Sequence, residues 1–259
     1  MKIIAVVSAK GGVGKTTVTA NLATALARQS GKTVVVVDLD PQNALGLHFG
    51  IPPRELRGLS RATLASQEWR SACFEQGLGI YVLPYGVVTE DDRMALEAHI
   101  DGHPDWLVRH LRSLDLPPDA IVLLDTPPGP SVYMRQALGA AQLTIIVMLA
   151  DAASYATLPL MQRLVQTYCA PRADFGDCLY IVNQVNNARQ LSKDITRVMR
   201  QNVGDHLAGT IHEDQAVCEA LAYDKNTLDY DPNSQATHDF IACAERVAAS
   251  LAKIQKAAP

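Results

Sequence analysis

With 259 residues, 48% of them hydrophobic and 19% charged, the chain carries enough apolar side chain to bury a substantial core, which excludes a disordered polypeptide. Its net charge of −4 and pI near 6.0 exclude the generally electropositive surface of a dedicated nucleic-acid binder. The five cysteines, read as reduced and mostly buried, include no CxxC pair to suggest a zinc or cluster site, and no run nears the roughly 18 to 20 apolar residues that cross a bilayer.

The first apolar run, 3–7, reads as a strand and is too short for a signal sequence, so the chain is expected to stay in the cytoplasm. A glycine-rich turn follows, then helical spacing over 16–29 and a valine run at 34–37. Residues 52–79 are the least regular and read as an excursion from the sheet. Further strand-like runs fall at 80–83, 121–124, 144–149 and 179–182, with a weaker one at 210–211. Between them, helical spacing appears over 106–114, 132–140, 158–168, 191–203 and 215–223. Most strand runs are continuously apolar, which suits strands covered on both faces, and their alternation with helices implies βαβ units. The predicted fold class is α/β, a single doubly wound, mostly parallel sheet flanked by helices, in one domain over 1–259. Near the end, Phe240, Ala244, Val247, Leu251 and Ile254 form one apolar helical stripe. It is expected to dock back on the domain; the competing reading, a membrane-surface helix, lacks a Lys/Arg-rich opposite side.

The chemistry concentrates in Lys10-Gly11-Gly12-Val13-Gly14-Lys15-Thr16-Thr17, between the first strand and the first helix. Glycines let consecutive backbone N–H groups turn inward on phosphate oxygens, and a helix starting there adds its partial positive charge. Ala9 stands where the strict Gly-x-x-x-x-Gly-Lys-Thr pattern has its first glycine, yet Gly11, Gly12, Gly14, Lys15 and Thr16 supply what a P-loop requires. Lys15 is expected to reach the β- and γ-phosphates of ATP, and the Thr16 hydroxyl to ligate Mg²⁺. Asp125 ends an apolar strand and reads as a second Mg²⁺ holder, acting through water. Lys10 is not needed to bind one nucleotide and invites a separate role.

The segment resembles the deviant Walker A family of MinD and ParA ATPases, and the resemblance covers nearly the whole chain. It implies an ATPase that forms a homodimer when ATP-bound and is released by hydrolysis. In that family the first lysine, here Lys10, reaches the phosphates of the other subunit as an arginine finger does. Asp38-Leu39-Asp40-Pro41-Gln42 resembles the family's Walker A′ motif, making Asp40 the candidate to orient the attacking water and Asp38 to stabilise the metal's hydration shell. The resemblance makes Asn183 a candidate reader of the adenine edge, while Ile211-His212 departs from the family's Ile-Pro.

Residues 65–72, 82–86, 151–157 and 211–217 resemble the branch of this family associated with bacterial cellulose synthase. That implies service to a membrane-associated cellulose synthase complex, peripherally at the inner membrane through its other subunits. Trp69 and Tyr85 become candidate interface anchors, against the expectation that they pack in a core. The rival is a partition ATPase whose ATP-bound dimer binds nonspecific DNA, for which Lys193, Arg197 and Arg200 offer a basic helical stripe. Nucleic acid is the less favoured partner. A metal-cluster scaffold lacks paired cysteines, and Lys10 weighs against a small-molecule kinase.

Overall fold

The computed structural model describes residues 1–257. In chain order it contains β1 (Lys2–Val7), α1 (Lys15–Ser30), β2 (Val34–Asp38), α2 (Leu59–Leu64), β3 (Phe74–Glu75), β4 (Ile80–Leu83), α3 (Glu90–Asp101), α4 (Trp106–Ser113) and β5 (Ile121–Asp125). There follow α5 (Val132–Ala140), β6 (Leu143–Leu149), α6 (Ala152–Ala156), α7 (Leu158–Tyr168), β7 (Asp177–Val185), α8 (Gln190–Val203), β8 (Leu207–His212), α9 (Gln215–Ala222), α10 (Thr227–Tyr230) and α11 (Gln235–Ala257). The strands form one eight-stranded sheet in the order β3-β4-β2-β5-β1-β6-β7-β8, parallel except where β3 runs against β4.

Both faces of this sheet are buried, which is why its strands read as unbroken apolar runs. Side chains alternate across it: Ile3, Ala5 and Val7 join a core with α3, α4, α5 and α7, whereas Ile4 and Val6 join one built on α1 and α11. The C-terminal stripe docks in that second core through buried Phe240, Ala244, Val247 and Leu251, with Ile254 half-buried at its edge. Among the described residues, no helix is long and apolar enough to cross a membrane.

The strand order places the site. From β1 the chain crosses past β5 to β2, and later returns to lay β6 on the opposite side of β1, so the winding reverses beside β1. Ligands of open parallel sheets bind outside the carboxyl ends of strands at such a reversal. Register fixes the neighbours there: Asp125 pairs with Asp38 on one side and with Val6 on the other.

The fold differs from expectation in particulars. The irregular 52–79 segment contains α2 and the antiparallel edge strand β3, whose two residues are too few to show a period. Helix α3 lies outside the predicted helices, because only Leu96 and Ile100 of its residues are buried. Trp69 and Tyr85 are not surface anchors: they are 0% and 1% exposed. Trp69 packs edge-on to Trp106 and stacked on His110, with its Nε1 donating to Thr63 Oγ1 at 3.0 Å. The hydroxyls of Tyr85 and Tyr133 are 2.7 Å apart in the same core. All five cysteines are free, but only Cys169 and Cys243 are fully buried; Cys73 and Cys178 are half-buried and Cys218 is exposed.

Candidate functional site

Strand β1 ends at Val7 and the loop that follows curls over its own end, with Ser8 Oγ donating to the Lys10 carbonyl at 2.9 Å. Gly12 and Gly14 sit at φ +75° and +79°, conformations that side chains resist, and Gly14 closes the loop as the N-cap of α1. A methyl group on Gly14 would come within 2.3 Å of Asn183 Nδ2, so the loop is pressed against the end of β7. Among the described residues, the backbone N–H groups from Gly11 to Thr17 find no protein acceptor. Groups of that kind at a helix N-terminus are the donor set an anion requires.

Inside this loop, Lys15 is 6% exposed and its Nζ lies 3.1 Å from Oδ1 of Asp125, which is 0% exposed. Thr16 Oγ1 donates to the other oxygen, Asp125 Oδ2, at 2.6 Å, and Thr19 Oγ1 stands 3.4 Å from Oδ1. The start of α1 and the end of β5 thus bring Lys15 and Thr16 into direct contact with Asp125. A hard cation takes oxygen ligands, and here a hydroxyl and a carboxylate already share one point, so the residues present fit an Mg²⁺ bound to a phosphate chain.

Asp38 and Asp40 lie beside this cluster in different environments. Asp38 is 0% exposed, and its two oxygens accept the Asp40 and Leu45 N–H groups at 2.9 and 3.1 Å, which shapes the turn that presents Asp40. Burial pushes the Asp38 carboxyl well above the usual range, and neighbouring Asp125 adds to this. Asp40 is 8% exposed and lines a cleft with Lys10, Gly11, Lys15, Thr16 and Gln42. Burial raises its pKa, against the N–H of Gln42 and the charge of Lys15. Lys10 is half-exposed at the rim of the cleft, 3.9 Å from Asp151. Asn183 is buried, and its Nδ2 donates to the Val13 carbonyl at 2.8 Å, so its donor side buttresses the loop.

Two buried residues had no signal in the sequence. Asn43 adopts φ +52° after the Asp40 turn, accepts the Gly86 N–H at 3.1 Å and donates to the Pro53 carbonyl at 3.2 Å, tying three loops together. His48 is 4% exposed with its Nε2 3.4 Å from Thr17 Oγ1. Burial holds the His48 ring at a pKa of about 4, against an ordinary value of 6.5, so between those pH values only the unfolded chain takes up the proton. Stability is therefore present above this window and lost as pH falls through it, by about 3 kcal/mol in total. Denaturant unfolding at pH 7.5 and 4.5 should show a steeper acid loss in the parent than in His48→Gln; parallel losses would contradict the assignment.

Comparison with known proteins agrees with this geometry. The sequence profile of the family described as cellulose biosynthesis protein BcsQ matches residues 1–247. The chain is 27% identical to BcsQ of Salmonella typhimurium, over 94% of this chain and 93% of that protein. It is 30% identical to the chromosome-partitioning ATPase Soj of Thermus thermophilus, over 98% and 97% of the two chains. Among solved structures, the septum site-determining protein MinD of Pyrococcus horikoshii, complexed with Mg-ADP, superposes with a TM-score of 0.77 at 27% identity, over 95% of each chain. The loop, the sheet order and these matches together establish that the chain belongs to the BcsQ family of MinD/ParA-type ATPases.

Proposed function

We propose that the chain is a single ATPase domain over 1–259 that binds Mg-ATP on the loop from Lys10 to Thr17, dimerises in that state and hydrolyses the nucleotide as a switch. The observation that carries this reading is the buried Lys15 side chain, held by Asp125 in a loop whose N–H groups find no acceptor among the described residues. Lys15 exchanges its carboxylate for the β- and γ-phosphates when the triphosphate arrives, which frees Asp125 and Thr16 to hold the metal with Asp38 stabilising its hydration shell. When bound, Mg²⁺ neutralises phosphate charge. Asp40 orients the attacking water from the cleft wall. The remaining acceptor of Asn183 faces the nucleotide's base.

Lys10, at the rim, completes the phosphate site of a second copy. Lys10→Ala should raise the dimer dissociation constant with ATP by roughly 10-fold or more while changing monomer affinity less than about 3-fold, because one charge-assisted contact contributes about 1.5–3 kcal/mol. Light scattering with ATP checks this, and a full dimer in the variant would contradict it.

Family membership supports service to the cellulose synthase complex, through its other subunits at the inner membrane. The test is co-purification from native membranes with and without ATP. Recovery of synthase subunits only with ATP supports the reading, and recovery of none in either state overturns it. A second reading, nonspecific DNA binding in partition, is favoured by α8, where Lys193, Arg197 and Arg200 are all exposed, though Arg197 lies 3.3 Å from Asp194. One relative, Soj, carries the name chromosome-partitioning ATPase. DNA affinity of the ATP-bound Asp40→Ala protein with a steep salt slope selects this reading, and no ATP-dependent binding discards it.

A further inference from the structure

The turn that carries Asp40 is set from within by Asp38, whose oxygens take the Asp40 and Leu45 N–H groups. It is also fixed from outside. Asn43 closes the turn with its own N–H on the Asp40 carbonyl at 2.9 Å and takes φ +52°, left-handed backbone that asparagine tolerates better than most residues with a side chain. Its side chain is 5% exposed, and both ends of the amide bond to chain outside the turn: Oδ1 accepts the Gly86 N–H at 3.1 Å, and Nδ2 donates to the Pro53 carbonyl at 3.2 Å. The Asp40 carboxylate is held by the Gln42 N–H of the same turn, so its position follows the turn's.

What the amide grips is itself braced. Residues 53–58 and 84–87 run side by side: the Val87 N–H donates to the Glu55 carbonyl at 3.0 Å, the Leu59 N–H to the Pro84 carbonyl at 2.9 Å, and Ser60 Oγ to the Tyr85 carbonyl at 2.6 Å. The Tyr85 hydroxyl anchors this frame in the core against Tyr133. The two segments touch so closely that a methyl group on Gly58 would stand 2.4 Å from the Gly86 nitrogen. Such a bonded frame offers the amide one position, and the amide passes that position on to the turn.

We infer that Asn43 is a positioning residue for hydrolysis: its amide pins the turn to the frame of 53–58 and 84–87 and so fixes where the Asp40 carboxylate meets the attacking water. The inference rests on the Asp40 role proposed above and names the residue that makes that role depend on a remote part of the fold.

The test uses two variants. Asn43→Gly keeps the left-handed backbone and removes both amide bonds. Gly58→Ala, at an extended φ of −178° that alanine adopts freely, forces the frame's two segments apart without touching the turn. Turnover, ATP affinity and melting temperature are measured for each variant alone, for the two combined, and for Asn43→Gly in the Asp40→Ala background. Misplacement of the carboxylate should lower kcat roughly 10- to 30-fold in either single variant, with ATP affinity within about 3-fold of the parent. Because both substitutions break one link, the combined variant should be no slower than the slower single one. In the Asp40→Ala background, Asn43→Gly should slow turnover by less than about 2-fold, since the group it positions is gone. Either single variant carries the test if the other does not fold. Parental kcat in the folded variants, multiplied losses in the combined variant, or an equal loss with and without Asp40 would overturn the inference. Parental turnover in Asp40→Ala alone would instead remove the Asp40 role on which it rests.

Discussion

Lys15→Ala should weaken ATP binding at least 100-fold, about 3 kcal/mol, because it removes the only Lys or Arg buried among the described residues, one that lines the cleft of the glycine-rich loop. The substitution also acts on the ligand-free fold. Asp125 is 0% exposed, and without the ammonium 3.1 Å away its side-chain partners among the described residues are the hydroxyls of Thr16 and Thr19. Leaving one partner of a buried pair alone costs about 3–5 kcal/mol, so a fall in melting temperature of several degrees is expected. The two effects separate in the double variant Lys15→Ala/Asp125→Asn, which removes the stranded charge: stability should recover while ATP binding stays lost. Calorimetric titration and thermal melts measure the two quantities. Unchanged nucleotide affinity in Lys15→Ala would contradict the placement of the phosphates.

Asp40→Ala should have the opposite profile. Its carboxylate lines the cleft, and among the described residues its hydrogen bond comes from the Gln42 N–H, with none to Thr16 or Lys15, so ATP affinity should stay within a few-fold of the parent. Turnover should fall roughly 10²- to 10³-fold, the usual scale for loss of a group that positions or accepts a proton from the nucleophile. The lost bond to the Gln42 N–H, 2.9 Å, adds a stability cost of about 1 kcal/mol. With hydrolysis blocked, the ATP-bound dimer should accumulate. A phosphate-release assay at saturating ATP decides the matter: turnover at the parental rate would remove Asp40 from the mechanism. Because burial raises the Asp40 pKa, the parent's rate should also decline on the acid side at a higher pH than an exposed aspartate would give.

The sheet was legible because its strands are buried on both faces. Runs such as 34–37 and 121–124 announce themselves without help from tertiary contacts, and strand identity then carries Asp38 and Asp125 to neighbouring ends. The P-loop was legible for a different reason: glycine spacing and a lysine at a helix start are local requirements. Residues that act through space were not. His48 lies 31 positions from Thr17, and Asn43 meets Gly86 across 43 positions, distances no periodicity encodes. Trp69 and Tyr85 lie in the core, as such residues most often do; aromatic character alone does not distinguish an interface from a core, and packing against Trp106 and Tyr133 decides it.

The central claim is that the Lys15 ammonium leaves Asp125 for a triphosphate cradled by the N–H groups that follow Lys10. A crystal structure grown with a non-hydrolysable ATP analogue and Mg²⁺ reads this directly. The account predicts phosphate density against the amides of Gly11 to Thr17, Lys15 Nζ on the β- and γ-oxygens, and Thr16 and Asp125 turned to the metal. A loop without nucleotide, or Lys15 still paired to Asp125 with the analogue bound elsewhere, would contradict it.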